Sequence, residues 1–301
     1  MKFKLKNKKA ELSTQQIVLL LILIISFIII LLFLFRLNPG DESKKEACHQ
    51  SVVLRGNSAI PADAVPLKCE VNYLCITKDG TCEGITTKNV EKVKTEEEIY
   101  DVLANEMADC WWMFGEGDLN YVGKDMAHNL YCSLCTQFIL DDSLNEIEGI
   151  ENGRVDESRF YQYLGAKEYS DKDMSYLKYI TGANSFSSLE SSISSKGGSF
   201  GSYELGKQYF VMMGIYSEVG IGRWIATGAA VGVAIVLTPF LPGGGIGLAS
   251  AIVMTLSTGG GIAAGTIVQG GSGESFLTPV IIQANSDEFK VFDCKDVMTI
   301  A

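Results

Sequence analysis

Histidine is nearly absent: the chain of 301 residues has two, His49 and His128. That leaves few imidazoles for base-activated nucleophiles. Gly197-Gly-Ser199-Phe-Gly201 has the spacing of a nucleophile elbow. Such an elbow needs a strand before it and a helix after it, whereas this one lies in a polar, Ser/Gly-rich stretch. No H-E-x-x-H, Walker A or dinucleotide fingerprint occurs, so the common zinc-protease, nucleotide and NAD motifs are missing. Basic residues are also in deficit. Beyond Arg36 the chain carries 35 acidic residues against 19 basic ones, a balance that repels nucleic acid. No cysteine precedes Arg36, and no charge falls between Ile225 and Val268. These features read as a protein with no cofactor and no catalytic residue assigned.

Long apolar sequence is what the chain does have. Ile17 to Phe35 is apolar except for Ser26. As a helix this run is about 28 Å long, close to one hydrocarbon core. Each strongly apolar residue favours insertion by about 0.3 to 0.6 kcal/mol. A cleavable secretory signal has a shorter apolar region and small residues before its cut; here Arg36-Leu37-Asn38-Pro39 follows directly. Lys2, Lys4, Lys6, Lys8 and Lys9 precede the run, and Asp41 and Glu42 follow it. The positive flank stays cytoplasmic. The expected location is the cell membrane, with the N-terminus inside and the main domain outside.

The eight cysteines agree with that sidedness. Cys48, Cys69, Cys75, Cys82, Cys110, Cys132, Cys135 and Cys294 all lie beyond the anchor, and an even number in an exported part reads as disulfides. Cys75 and Cys82 flank Lys78-Asp79-Gly80, a hairpin-turn signal. Cys48 and Cys69 can then close the preceding loop. Cys294 joins Cys110, Cys132 and Cys135 as the remaining set. Cys132-Ser-Leu-Cys135 also admits a thiol-exchange site or half of a zinc site. The first needs a thioredoxin-like strand ahead of it, and the second needs another suitably spaced pair.

The expected fold class is an α+β extracytoplasmic domain with disulfides, an N-terminal transmembrane helix and a C-terminal Gly-rich hydrophobic helical hairpin. Residues 1–16 form a basic tail and 17–36 the anchor. Residues 37–94 read as a disulfide-tied β unit. A helical region spans 95–184. It opens with the capping box Thr95-Glu-Glu-Glu98, and Ile99, Val102, Leu103, Met107, Cys110, Trp111 and Phe114 share one face. A second helix is expected from Lys124 to Leu140, with Ala127, Leu130, Tyr131, Leu134, Cys135 and Phe138 inward, stapled to the first. Trp111-Trp112 fits packing better than a ligand platform. Residues 185–202 read as a Ser/Gly-rich loop, and 203–224 as a strand and an approach to the membrane. Lys207–Tyr216 and Pro279–Ala284 read as buried strands that can pair if both lie on one side.

Residues 225–268 are expected to be a transmembrane or re-entrant hairpin, and 269–301 a C-terminal β segment. The hairpin reverses at Thr238-Pro-Phe-Leu-Pro-Gly-Gly-Gly-Ile-Gly247. Gly228/Gly232, Gly243/Gly247 and Gly261/Gly265 are small-x-x-x-small pairs, which let helices approach closely in lipid. The implied partners are membrane lipid, a homo-oligomer and a surface protein, and not nucleic acid.

Lys8-Lys-Ala-Glu-Leu-Ser-Thr-Gln-Gln-Ile17 and the Ile/Leu run after it resemble the type IV pilin-like signals of archaeal membrane-anchored proteins. The resemblance covers about the first 30 residues. It implies processing of Lys9-Ala10-Glu11 between Ala10 and Glu11 by a prepilin peptidase. The leading functional expectation is a non-enzymatic surface protein acting in surface assembly or cell–cell contact. The alternatives are a membrane-perturbing or channel-forming oligomer built from the hairpin, and an extracytoplasmic thiol-disulfide oxidoreductase using Cys132 and Cys135.

Overall fold

The computed structural model describes residues 14–36, 40–57, 64–82, 89–123, 130–195, 198–216, 233–238, 250–256, 262–269, 274–286, 289–290, 294 and 296–297. The chain divides into two units, Met1–Ser43 and Lys44–Ala301.

The first unit contains α1 (Thr14–Arg36). Its described side chains run from Val18 to Ile29, and the large apolar ones among them are 46% to 65% exposed on every side. Ser26 donates its hydroxyl to the Ile22 carbonyl (2.6 Å), so the one polar side chain of this stretch is satisfied within the helix. Among the described residues, no helix is long and apolar enough to cross a membrane.

The second unit takes up α2 (Gly40–Gly56) from Lys44 onward, β1 (Asn72–Thr77), β2 (Asn89–Lys92), α3 (Glu96–Met113) and β3 (Leu130–Leu140). A 3-10 turn at Asp142–Glu146 follows, then β4 (Arg154–Asp156), α4 (Glu157–Ala166), β5 (Glu168–Tyr169), β6 (Met174–Ser175), α5 (Tyr176–Thr181) and α6 (Phe186–Ser194). The chain continues through β7 (Ser202–Glu204), β8 (Gln208–Tyr216), β9 (Val233–Thr238), β10 (Ser250–Leu256), β11 (Ile262–Gln269), β12 (Ser275–Gln283) and β13 (Asp296–Val297). The architecture is mixed α and β.

Among the described residues, a nine-stranded mixed sheet organises this unit, in the order β2-β1-β3-β8-β12-β11-β10-β9, with β13 also on β3; β4 with β7 and β5 with β6 form two separate two-stranded sheets. β2, β1, β3 and β13 run parallel; every other pairing in the nine-stranded sheet is antiparallel. Along β8, Tyr209, Val211, Met213 and Ile215 join the main core, shared with α3, α4 and α5. The alternate residues Met212 and Tyr216 join a second cluster on the opposite face with Leu130, Cys132, Leu277, Val280 and Ile282. Phe289 and Cys294, from the C-terminal segment, pack against that second cluster.

α3 forms where expected. The Thr95 side chain accepts from the Glu98 N–H (3.2 Å), and Glu98 reaches back to the Lys94 N–H (2.6 Å). Ile99, Leu103, Met107, Cys110, Trp111 and Phe114 are buried. The helix stops at Gly115-Glu116-Gly117, where all three φ angles are positive.

Four expectations are corrected. The second helix over Lys124–Leu140 is replaced, in its described part, by β3. This strand is buried on both faces, so its apolar residues show no period-2 alternation. The Gly-rich helical hairpin of residues 225–268 is instead, wherever described, the strands β9, β10 and β11. Their Val, Ile and Thr content favours extended backbone, and glycine is a poor helix former. The loop of residues 185–202 contains α6, capped by Ser185 and anchored by buried Leu189 and Ile193. The β unit of residues 37–94 begins with α2, which buries Cys48 and Val52 four residues apart on one face. The expected pairing of the β8 and β12 segments is present, with Ile282 opposite Phe210. Pro279, which has no N–H to give, falls within the register shift between Leu277 and Val280.

Candidate functional site: the disulfides and the carboxyl ends of the parallel strands

All eight cysteines are paired: Cys48–Cys69, Cys75–Cys82, Cys110–Cys135 and Cys132–Cys294. The first bond ties α2 to the chain ahead of β1. Ser51 reinforces it, donating to the Cys48 carbonyl (2.7 Å) and accepting from the Lys68 N–H (3.0 Å). The second closes the Lys78-Asp79-Gly80 turn.

Cys132 and Cys135 bond to different partners because they lie on a strand. Residues three apart on a strand point to opposite faces, whereas on a helix they share one. Cys135 meets α3 in the main core, and Cys132 meets Cys294 on the other face. A β-bulge between Leu134 and Thr136 then turns Thr136 toward α3 as well. The Thr136 hydroxyl donates to Glu106, one helical turn before Cys110. Glu106 also accepts from the Asn72 amide (3.2 Å) and faces Lys45 (3.7 Å), which pairs with Asp109 as well. This half-buried polar junction holds α2, α3, β1 and β3 together. It bears no mark in the sequence, because its members are scattered from 45 to 136.

Tyrosine hydroxyls make a second set of ties along α3. Tyr163 donates to Asp101 (2.8 Å), Tyr176 to Asn105 (2.6 Å) and Tyr179 to Glu116 (2.8 Å). Glu116 is also bound by Lys172 at 3.0 Å. Burial, and then nearby Asp171 and Asp109, push the Tyr169 phenol up to about 12. Tyr169 packs its ring against Tyr176 and Tyr179, with centroids 5.0 and 4.5 Å away. His49 stacks on Trp112 with centroids 4.2 Å apart, so Trp112 is engaged by α2 and does not stand as an open platform.

A further polar convergence lies where β1 and β3 end. Ligand sites in sheets with parallel strands gather outside the carboxyl ends. Here the Thr77 hydroxyl bonds Asp79 and Ser143, each at 3.0 Å, and Ser143 Oγ accepts from the Lys78 N–H (3.0 Å). The Thr81 N–H, then the Thr81 and Thr77 hydroxyls, hold the exposed Asp79 carboxyl below its usual range. Asp141 is buried, and its carboxylate accepts from the Ser143 N–H (2.9 Å). Among the described residues, Cys75, Cys82 and Asp141 form a group whose donor atoms all lie within 4.8 Å of one another.

Lys9, Ala10, Glu11, His128, Gly228, Gly232, Gly243, Gly247 and Gly261 lie outside the described residues. Gly265 sits in β11 opposite Val253, so its neighbour is a strand and not a helix. Ser199 lies between α6 and β7, not at a strand-to-helix turn. Comparison with family models, curated proteins and solved structures finds no match to this chain.

Proposed function

We propose that this is a membrane-anchored cell-surface protein that works by assembly or contact and not by catalysis. One observation carries the reading: four disulfides lie wholly beyond a helix whose described apolar side chains, Val18 to Ile29, are exposed all round. Disulfides persist in oxidising compartments. Apolar side chains exposed over about three turns of helix call for lipid or a partner, and the preceding lysines set the N-terminus inside.

The assembly part of the proposal draws on the sheet edges. β2, at one end of the sheet, carries Glu91 and Lys92, and such charges blunt an edge. β9, at the other end, is Val-Ala-Ile-Val-Leu-Thr, with no charge. An uncharged edge strand is a template for pairing with a second copy. The oxidoreductase reading loses its dithiol, since Cys132 and Cys135 serve separate bonds on opposite faces.

The test is cell fractionation combined with labelling of intact cells by a membrane-impermeant maleimide. The protein is expected in the membrane fraction, unlabelled without reductant and labelled after an impermeant reductant. Recovery from aqueous extract without detergent, as a monomer, overturns the proposal.

A further inference from the structure

We propose that Cys75, Cys82 and Asp141 form a divalent-metal site that becomes available when the Cys75–Cys82 disulfide is reduced. Two thiolates and one carboxylate, with solvent in the fourth position, suit zinc. The three donor atoms already lie within 4.8 Å of one another. Ligands about 2.0 to 2.3 Å from a shared tetrahedral ion stand roughly 3.5 Å apart, so after reduction the two sulfurs must part while Asp141 stays beside them. The Cα atoms of the two cysteines are 6.3 Å apart, which leaves room for the sulfurs to separate once the bond is broken.

Two of the ligands are held rigidly. Cys75 is part of β1, and the Asp141 N–H bonds the Ile76 carbonyl (2.9 Å) at the end of the neighbouring strand. The Ser143 N–H fixes one Asp141 oxygen, as hydrogen bonds outside the ligand set orient metal-binding carboxylates. Cys82 is the adjustable ligand. It follows the turn at Gly80 (φ 92°) and is half-exposed, which gives a reductant and an ion a way in. The buried Cys48–Cys69 and Cys110–Cys135 bonds offer no such access. The Cys75–Cys82 ring is also the shortest of the four, with a sequence separation of 7, and short rings gain least from chain entropy.

The chemistry balances with a dithiol reductant. One of its thiolates attacks the Cys82 sulfur and forms a mixed disulfide, and its second thiol closes that into its own disulfide. Two electrons pass to the protein, which gains two cysteine thiols. Metal binding then displaces one proton from each thiol. Reoxidation by an external disulfide, which takes up two electrons and two protons and leaves as its dithiol, rejoins the two sulfurs and releases the ion, so the site couples metal occupancy to thiol state. This inference stands apart from the surface-protein reading, because it concerns only the folded part and makes no use of membrane sidedness.

The test uses the full chain in detergent micelles with Co²⁺ as the probe. Limiting dithiol is applied, alkylation and mass mapping identify the reduced pair, and Co²⁺ is titrated. The expected result is a thiolate-to-cobalt charge-transfer band, saturating at one ion per chain, that is absent from the oxidised protein and abolished by Zn²⁺. Asp141→Asn keeps the capping geometry and both thiols, and is expected to weaken Co²⁺ binding about tenfold or more. Cys82→Ser is expected to abolish the band. No band after selective reduction, or a band of unchanged affinity in Asp141→Asn, overturns the proposal. The Asp141→Asn comparison decides the matter if Cys82→Ser fails to fold.

Discussion

Single residues show how little slack the folded part has. Gly214 lies in β8 against β3, and a Cβ there would stand 2.5 Å from Leu130 Cδ1 and 3.2 Å from the Tyr131 carbonyl oxygen. A methyl group forces a shift in a core already close-packed. Gly214→Ala is therefore expected to cost about 1 to 3 kcal/mol, read as a lower urea midpoint with unchanged slope. Tyr169 gives a pH prediction. Its phenol is raised from 10 to about 12 in the folded state. Above pH 10 the unfolded chain loses this proton while the folded chain keeps it, so stability falls with rising pH. The contribution is whole below pH 10 and gone by about pH 12. Chemical denaturation at pH 9, 10, 11 and 12 checks this, and Tyr169→Phe is expected to flatten that part of the curve.

Among the elements, β3 does the most. It carries parallel partners on one edge and β8 on the other, presents Cys135 and Thr136 to α3, and sends Cys132 to the C-terminal segment. Removing its bonds is expected to rank by loop length. In the chain-entropy account, loss of Cys132–Cys294, with a separation of 162 residues, costs about 5 kcal/mol. Loss of Cys110–Cys135, with a separation of 25, costs about 3.5 kcal/mol. Paired Cys→Ala variants compared by thermal melting test the order, and a larger loss from the 110–135 pair contradicts it. α6 depends on a single exposed cap, so Ser185→Ala is expected to cost about 1 kcal/mol and to speed proteolysis near residue 190.

At the scale of the molecule, the two sheet edges differ in charge, and this bears on assembly. Replacing Ile235 by Lys places a charge on β9, as β2 has naturally. If copies associate through this edge, Ile235→Lys is expected to lower the oligomer fraction in cross-linking and in light scattering of detergent-solubilised protein. A change of charge at Glu91 or Lys92 is expected to have no such effect. Deletion of residues 1–36 is expected to move the protein into the aqueous fraction with its four disulfides intact.

Local sequence determined those elements that bury one face or close a short turn. α3 was readable from its capping residues and its i, i+3, i+4 apolar spacing, because only one side of that helix meets the core. The Cys75–Cys82 bond was readable from an Asp-Gly turn between its ends. The pairing of β8 with β12 was foreseeable once both lay on one side. Tertiary structure alone decided the rest. β3 is buried on both faces, which removes the alternation that distinguishes a strand from a helix. The uncharged Gly-rich stretch has the composition of a membrane segment, yet β11, β10 and β9 extend the sheet outward from β12. The partners of Cys110, Cys132 and Cys135 depend on which face of β3 each one occupies. The convergence of Cys75, Cys82 and Asp141 likewise depends on two parallel strands ending side by side. A contact between residues far apart in sequence leaves no local pattern, since its energy is realised only when the sheet has brought them together.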